Sequence, residues 1–129
     1  MDKNLASRLS YFKTTATDNF EPYVKPQENS SHFGTRRAFV GDISGHGVRF
    51  ENLYDGATFS FNASHFRAET LTATAHDYEL CPEDATIVCI DMRMSGIGSN
   101  SCGPRLAPEY QINEEEFSCS FKFTPGFVD

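Results

Sequence analysis

The sequence predicts an all-β sandwich with one short helix, and three observations carry that prediction. Residues 117–124 alternate apolar and polar side chains without a break, which places Phe117, Cys119, Phe121 and Phe123 on one face of an extended segment. Residues 57–66 alternate in the same way, with Phe59, Phe61 and Ala63 inward, and residues 86–94 put Val88, Ile90, Met92 and Met94 on one side. Turn signals separate these runs at Ser44-Gly45, Asp55-Gly56, Cys81-Pro82 and Pro104. Several short strands between frequent turns, each with one buried face, are the pattern of a two-sheet antiparallel fold.

From the N-terminus, residues 33–40 and 47–53 are weaker strand candidates that precede the 57–66 strand. Residues 67–76 suit a short helix, because Leu71 and Ala75 fall on one face four residues apart. The strands at 86–94 and 117–124 complete the set, and Phe59, Phe61, Phe117, Phe121 and Phe123 are the expected core. No internal repeat, linker or low-complexity stretch interrupts residues 1–129, so one unit is expected.

Charge and composition exclude several functions. Eighteen acidic residues against eleven basic give a formal net charge of −7, with no basic cluster. Neither nucleic acid nor an anionic membrane surface is an expected partner. No apolar run approaches bilayer length, and no basic-then-apolar leader opens the chain, so a cytoplasmic location is expected. Cys81, Cys89, Cys102 and Cys119 include no C-x-x-C pair. Cys89 and Cys119 sit in strand-like apolar contexts, and buried thiols are expected rather than disulfides or zinc. His32, His46, His65 and His76 show no metal-ligand spacing.

Candidate chemistry concentrates in residues 96–104. Gly96, Gly98 and Gly103 frame Ser99, Asn100, Ser101 and Cys102 just after a strand. The spacing is wrong for a dinucleotide-phosphate loop, and Pro104 and Pro108 oppose the helix such a loop needs. Glycines that permit close backbone approach, together with small polar side chains, equally suit a loop lining a sugar pocket or an ordinary turn. No nearby base identifies Cys102 as a nucleophile. Glu114, Glu115 and Glu116 read as a solvated charge run opening a strand. Glycoside hydrolysis needs two carboxyls about 5 Å, or about 6.5–9.5 Å, apart across a cleft, and nothing local promises that geometry.

Four stretches, read in order, carry a resemblance. They are Pro22-Tyr23-Val24-Lys25-Pro26-Gln27-Glu28-Asn29, then Gly34-Thr35-Arg36-Arg37, then residues 65–80 with Leu71-Thr72-Ala73-Thr74-Ala75-His76-Asp77, and finally the loop at 96–104. In order and spacing, over nearly the whole chain, they resemble the C-terminal small-chain domain of family-two β-galactosidases. The resemblance implies a segment of a mutarotase-like supersandwich within a multidomain glycoside hydrolase that cleaves terminal β-D-galactosides such as lactose. It places the two catalytic glutamates and a magnesium site in a barrel outside this chain, so no catalytic residue and no cofactor is expected here. Met1 is expected to mark an artificial boundary or a divided gene, with earlier strands missing.

The resemblance also makes the loop a pocket-lining one, with Asn100, Ser101 and Cys102 as the expected substrate-binding residues. Many relatives carry at that point a tryptophan that stacks on the sugar acceptor; here Cys102 stands there, and the chain has no tryptophan. Expected partners are the remaining domains or a separate large subunit, with a galactoside at the shared pocket. Cut inside its sheets, the chain is expected to expose strand edges and to self-associate. Arg36, Arg37 and Glu28 are expected to form ion pairs holding the Pro22-to-Asn29 loop, and His76 is expected to be a core or edge histidine. The reading from another class is a free-standing sugar-binding or interaction module.

Overall fold

The computed structural model describes residues 10–96 and 102–128. Six strands form two antiparallel three-stranded sheets: β1 (His32–Thr35), β4 (Phe59–Ser64) and β5 (Ile87–Asp91) in one, and β2 (Arg37–Gly41), β3 (His46–Asn52) and β6 (Phe121–Phe127) in the other. The order is β1-β4-β5 in the first sheet and β2-β3-β6 in the second. Two short helices, α1 (Ala16–Asn19) and α2 (Ala68–Ala73), accompany them. The expected sandwich is therefore observed. Among the described residues no helix is long and apolar enough to cross a membrane.

The sheets meet through aromatic rings. Phe59 on β4 stands edge-on to Phe121 on β6 at 5.7 Å, and Phe50 on β3 lies 6.0 Å from Phe61 on β4. Such tilted and edge-on pairs put the positive ring edge against the negative ring face. Phe59 is the most deeply buried of them, at 2% exposure.

The other face of β4 is buried as well, where alternation predicted a solvated one. Ser60 and Ser64 are buried there, and Leu71 of α2 lies under the same layer with Phe20 and Phe66, whose rings are 4.7 Å apart. The chain before β1 and the two helices cover that face, giving three layers with the β4 sheet in the middle. The two asparagine side chains of this layer are paired, whereas the buried Ser30 and Ser31 hydroxyls have no hydrogen-bond partner among the described residues. The buried Asn29 accepts from the Glu21 backbone N–H at 2.9 Å and donates to the carbonyls of Glu21 and Gln27, while Asn62 of β4 donates to the Asn29 carbonyl at 2.9 Å. Ser30, which follows, has a φ of 58° and is 1% exposed. That left-handed conformation is uncommon for a residue with a side chain; the Asn19 side-chain amide donates to the Ser30 carbonyl at 3.2 Å.

Several sequence expectations need correction. Residues 33–40 are not one strand: the chain breaks at Arg36 and passes from β1 in one sheet to β2 in the other. The last strand begins at Phe121 rather than at 117. Its ladder to β3 starts at the Asn52–Phe121 pair, with one further bond from the Leu53 N–H to the Ser120 carbonyl, so Phe117 and Cys119 lie beyond β3's reach. Phe117 and Phe123 are 66% and 57% exposed and are not core. Cys119 is exposed too, and only Cys89 of the two strand-context thiols is half-buried.

The helix at α2 is shorter than the 67–76 expected, and α1 was not expected. Thr15 caps α1 by accepting from the Asp18 N–H at 3.0 Å, and its hydroxyl donates to the Asp18 carboxylate at 2.8 Å. Arg37 pairs across the ladder with Glu51 at 3.4 Å rather than with Glu28. The loop ending at Asn29 is tied instead by its own asparagine and by Lys25, whose ammonium donates to the Thr72 and Thr74 carbonyls at the C-terminal end of α2. His76 is half-exposed at an edge, stacked on Tyr78 at 5.2 Å.

Candidate functional site

The glycine-rich loop lies between two stems that the fold clasps together. The first stem leaves β5 after Asp91 and runs through Arg93 to Gly96; the second runs from Cys102 to Glu116. Arg93 Nη1 donates to Glu114 Oε1 at 2.6 Å, and the Ile112 N–H donates to Ser95 Oγ at 3.1 Å. A Cβ on Gly96 would lie in ordinary contact, 3.5 Å, from Leu106 Cδ1. Gln111 donates to the Leu106 carbonyl, and a single 3-10 turn at Pro108–Tyr110 rounds off the second stem. These contacts hold residues 93–96 against residues 106–114 beyond the end of β5.

Of the predicted site residues, Asn100 and Ser101 lie outside the described residues. Cys102 is described and exposed, at the root of the second stem. The glutamate run is exposed as expected but forms no strand. Glu114 is also more than a solvated charge: the Arg93 guanidinium hydrogen-bonded to it holds its carboxyl below the usual carboxylate range. No local pattern signals this pair, since its members are far apart in the chain and each belongs to a loop.

Hollows among the described residues lie elsewhere. A small cavity behind the middle sheet is lined by Asn29, Asn62, Ser64, Leu71 and Cys89 among others, and burial pushes the Cys89 thiol up. A groove of about 410 Å³ runs between α1 and the segment around His65, Phe66, Pro82 and Glu83. Arg67 Nε donates to Glu83 at 2.6 Å beside it, and no residue of either loop stem lines it.

One hairpin has the residue types of a hydrolytic triad. Ser44 Oγ lies 2.6 Å from Asp42 Oδ1 and 2.8 Å from His46 Nδ1. In a nucleophilic triad the imidazole stands between serine and carboxylate, whereas here serine stands between the other two. Asp42 Oδ1 also accepts the backbone N–H groups of Ser44 and His46, which is the pattern of an Asx-stabilised turn. These bonds, led by the Ser44 hydroxyl, lower the Asp42 pKa. The cluster closes the β2–β3 hairpin.

Comparison with known proteins places the chain in a family. A family model described as beta galactosidase small chain matches residues 1–123. A beta-galactosidase of Actinobacillus pleuropneumoniae is 44% identical over 94% of this chain and 11% of its own length. One from Staphylococcus xylosus is also 44% identical, over 95% of this chain and 12% of its own length. A third, from Streptococcus thermophilus, is 29% identical over 96% of this chain. The chain thus spans about 11–12% of the length of the first two relatives. With a family model matched over nearly all of its length, the chain belongs to the beta-galactosidase small-chain family.

Proposed function

We propose that this chain is a segment of a cytoplasmic family-two β-galactosidase and that its loop at residues 96–103 completes the sugar pocket of a catalytic barrel carried by the rest of the enzyme. The observation that carries this reading is the match over residues 1–123 to a family whose members are many times longer. The clasp of Arg93 with Glu114 and of Ser95 with Ile112 supports it, because a loop that must reach a neighbouring domain needs its stems held. Hydrolysis of terminal β-D-galactosides is assigned to the assembled enzyme. Its acid/base and nucleophile carboxylates, and the magnesium ion, are assigned to the barrel.

In this reading Asn100 and Ser101 offer neutral hydrogen-bonding groups to a sugar hydroxyl, directly or through water. Cys102 offers no flat face for a sugar's C–H surface to stack upon. The test is made in the assembled enzyme. Replacing Cys102 by Trp should strengthen acceptor binding by about 0.5–1.5 kcal/mol, raising transglycosylation more than cleavage of an activated aryl galactoside. Asn100→Ala should weaken substrate binding by about 0.5–1.5 kcal/mol with the melting temperature little changed. Unaltered kinetics in both variants, each folding normally, would make the loop a structural turn. The isolated chain should turn over no chromogenic galactoside, since double displacement needs two carboxyls across a cleft; turnover above buffer by highly purified chain defeats the assignment of catalysis to the barrel.

A further inference from the structure

Strand β6 turns a row of apolar side chains toward the sandwich interior, yet only one end of that row is covered. The ladder sets Phe123 opposite Phe50, Pro125 opposite Val48 and Phe127 opposite His46, so these residues share the inner face with Phe121. Phe121 meets Phe59 of the middle sheet. Further along the row Phe123 is 57% and Phe127 62% exposed, although Phe123 meets Phe50, itself 8% exposed, at 5.4 Å and Phe127 packs on His46 at 4.1 Å. β6 is also an edge, with β3 as its one neighbour among the described residues. A contiguous apolar strip on the inner face of a sandwich marks a contact surface rather than a solvated one.

We infer that the strip formed by Phe123, Pro125 and Phe127 is the seat of the remainder of the β-galactosidase, an apolar strand or loop of the larger enzyme laid across the open end of the second sheet. This rests on the reading of the chain as one segment of that enzyme. Its relatives carry roughly eight times as much polypeptide outside the matched region as within it. A cover supplied within one assembly acts at high effective concentration and prevails over a second copy of this segment. Pro125 in mid-strand lacks an N–H, which favours covering the side-chain face over extending the backbone ladder along this edge.

Hydroxyl-radical footprinting of the assembled enzyme, with a galactosidase assay on the same sample, tests this without any substitution. Phe123 and Phe127 should be oxidised at least about tenfold more slowly in the folded enzyme than in the same enzyme unfolded in urea. Folded-state rates within about twofold of the unfolded ones overturn the inference, and full galactosidase activity in that sample would leave the functional reading standing. Protection without any galactosidase activity supports the seat while removing the functional reading. Protection that vanishes on dilution, as the enzyme's mass falls, identifies the cover as a second copy and overturns the inference.

Discussion

The two sheets use the same residue types to opposite effect. β4 carries Phe59, Phe61 and Ala63 on one face and Ser60, Asn62 and Ser64 on the other, and both faces are covered. β6 carries Phe121, Phe123 and Phe127 on one face, and most of that face is open. Alternation alone makes both look like half-buried strands. Position in the sheet decides the outcome: β4 is central and lies between two layers, while β6 is an edge strand with β3 as its one neighbour among the described residues. Apolar side chains are thus a measure of what a strand is built to meet, and burial within one chain measures what that chain supplies.

The largest expected effect breaks the comparison most directly. Phe59→Ala should cost about 3–5 kcal/mol, as a large aromatic removed from a closed core leaves a cavity, whereas Phe123→Ala should cost under about 1 kcal/mol in the chain alone. Urea unfolding midpoints of the two variants make the measurement. Equal losses would mean that β6's inner face is as well packed as β4's.

A smaller effect sharpens the comparison on the polar side of the middle sheet. Asn29→Ala removes the acceptor of the Glu21 N–H and the donor to two carbonyls in a buried layer. The groups left without partners should cost about 1–3 kcal/mol. Replacing the exposed Glu115 by Ala should leave the unfolding midpoint within about 0.5 kcal/mol of the parent's. An Asn29→Ala variant as stable as Glu115→Ala would show that the loop before β1 does not depend on this bonding.

Much of the fold was legible because local pattern and tertiary position agreed. β4 and β5 fall within the segments where alternation placed them and β3 starts one residue before its own, since each pairs along most of its length. The breaks were not legible, because they depend on partners distant in sequence. Nothing local distinguishes Thr35 from Arg37, yet the first pairs with Phe59 and the second with Glu51 in another sheet. Phe117 and Cys119 continue a perfect alternation, but β3 ends at Asn52 and leaves them no ladder. For α1 there was a local signal: Thr15 three residues before Asp18 is a capping pair, visible in the sequence. The glycines and the family likeness mark residues 96–104 as a loop, of which residues 97–101 lie outside the described residues. The Arg93–Glu114 clasp was not legible, because an ion pair between two loops has no periodicity to announce it.

The finest comparison is between two thiols. Cys89 lies on β5, on the face of the middle sheet that the helices cover, and Cys119 lies exposed just before β6. Burial raises the Cys89 pKa first, and the carboxylates of Glu28, Asp91 and Glu69 raise it further. A group whose folded pKa is raised contributes its full stabilisation below the unfolded value, about 8.5 for a thiol, and loses that contribution as pH rises through the folded pKa. Stability should therefore decline on the alkaline side in a way that Cys89→Ala flattens. Because the thiolate is the nucleophile, iodoacetamide near pH 8 should label Cys119 and the exposed Cys81 at least about tenfold faster than Cys89, as read from the labelled peptides. Cys89 reacting as fast as Cys119 would show that the helix-covered face opens as readily as the edge of β6, and the contrast between the two sheets would then lie in their side chains and not in their closure.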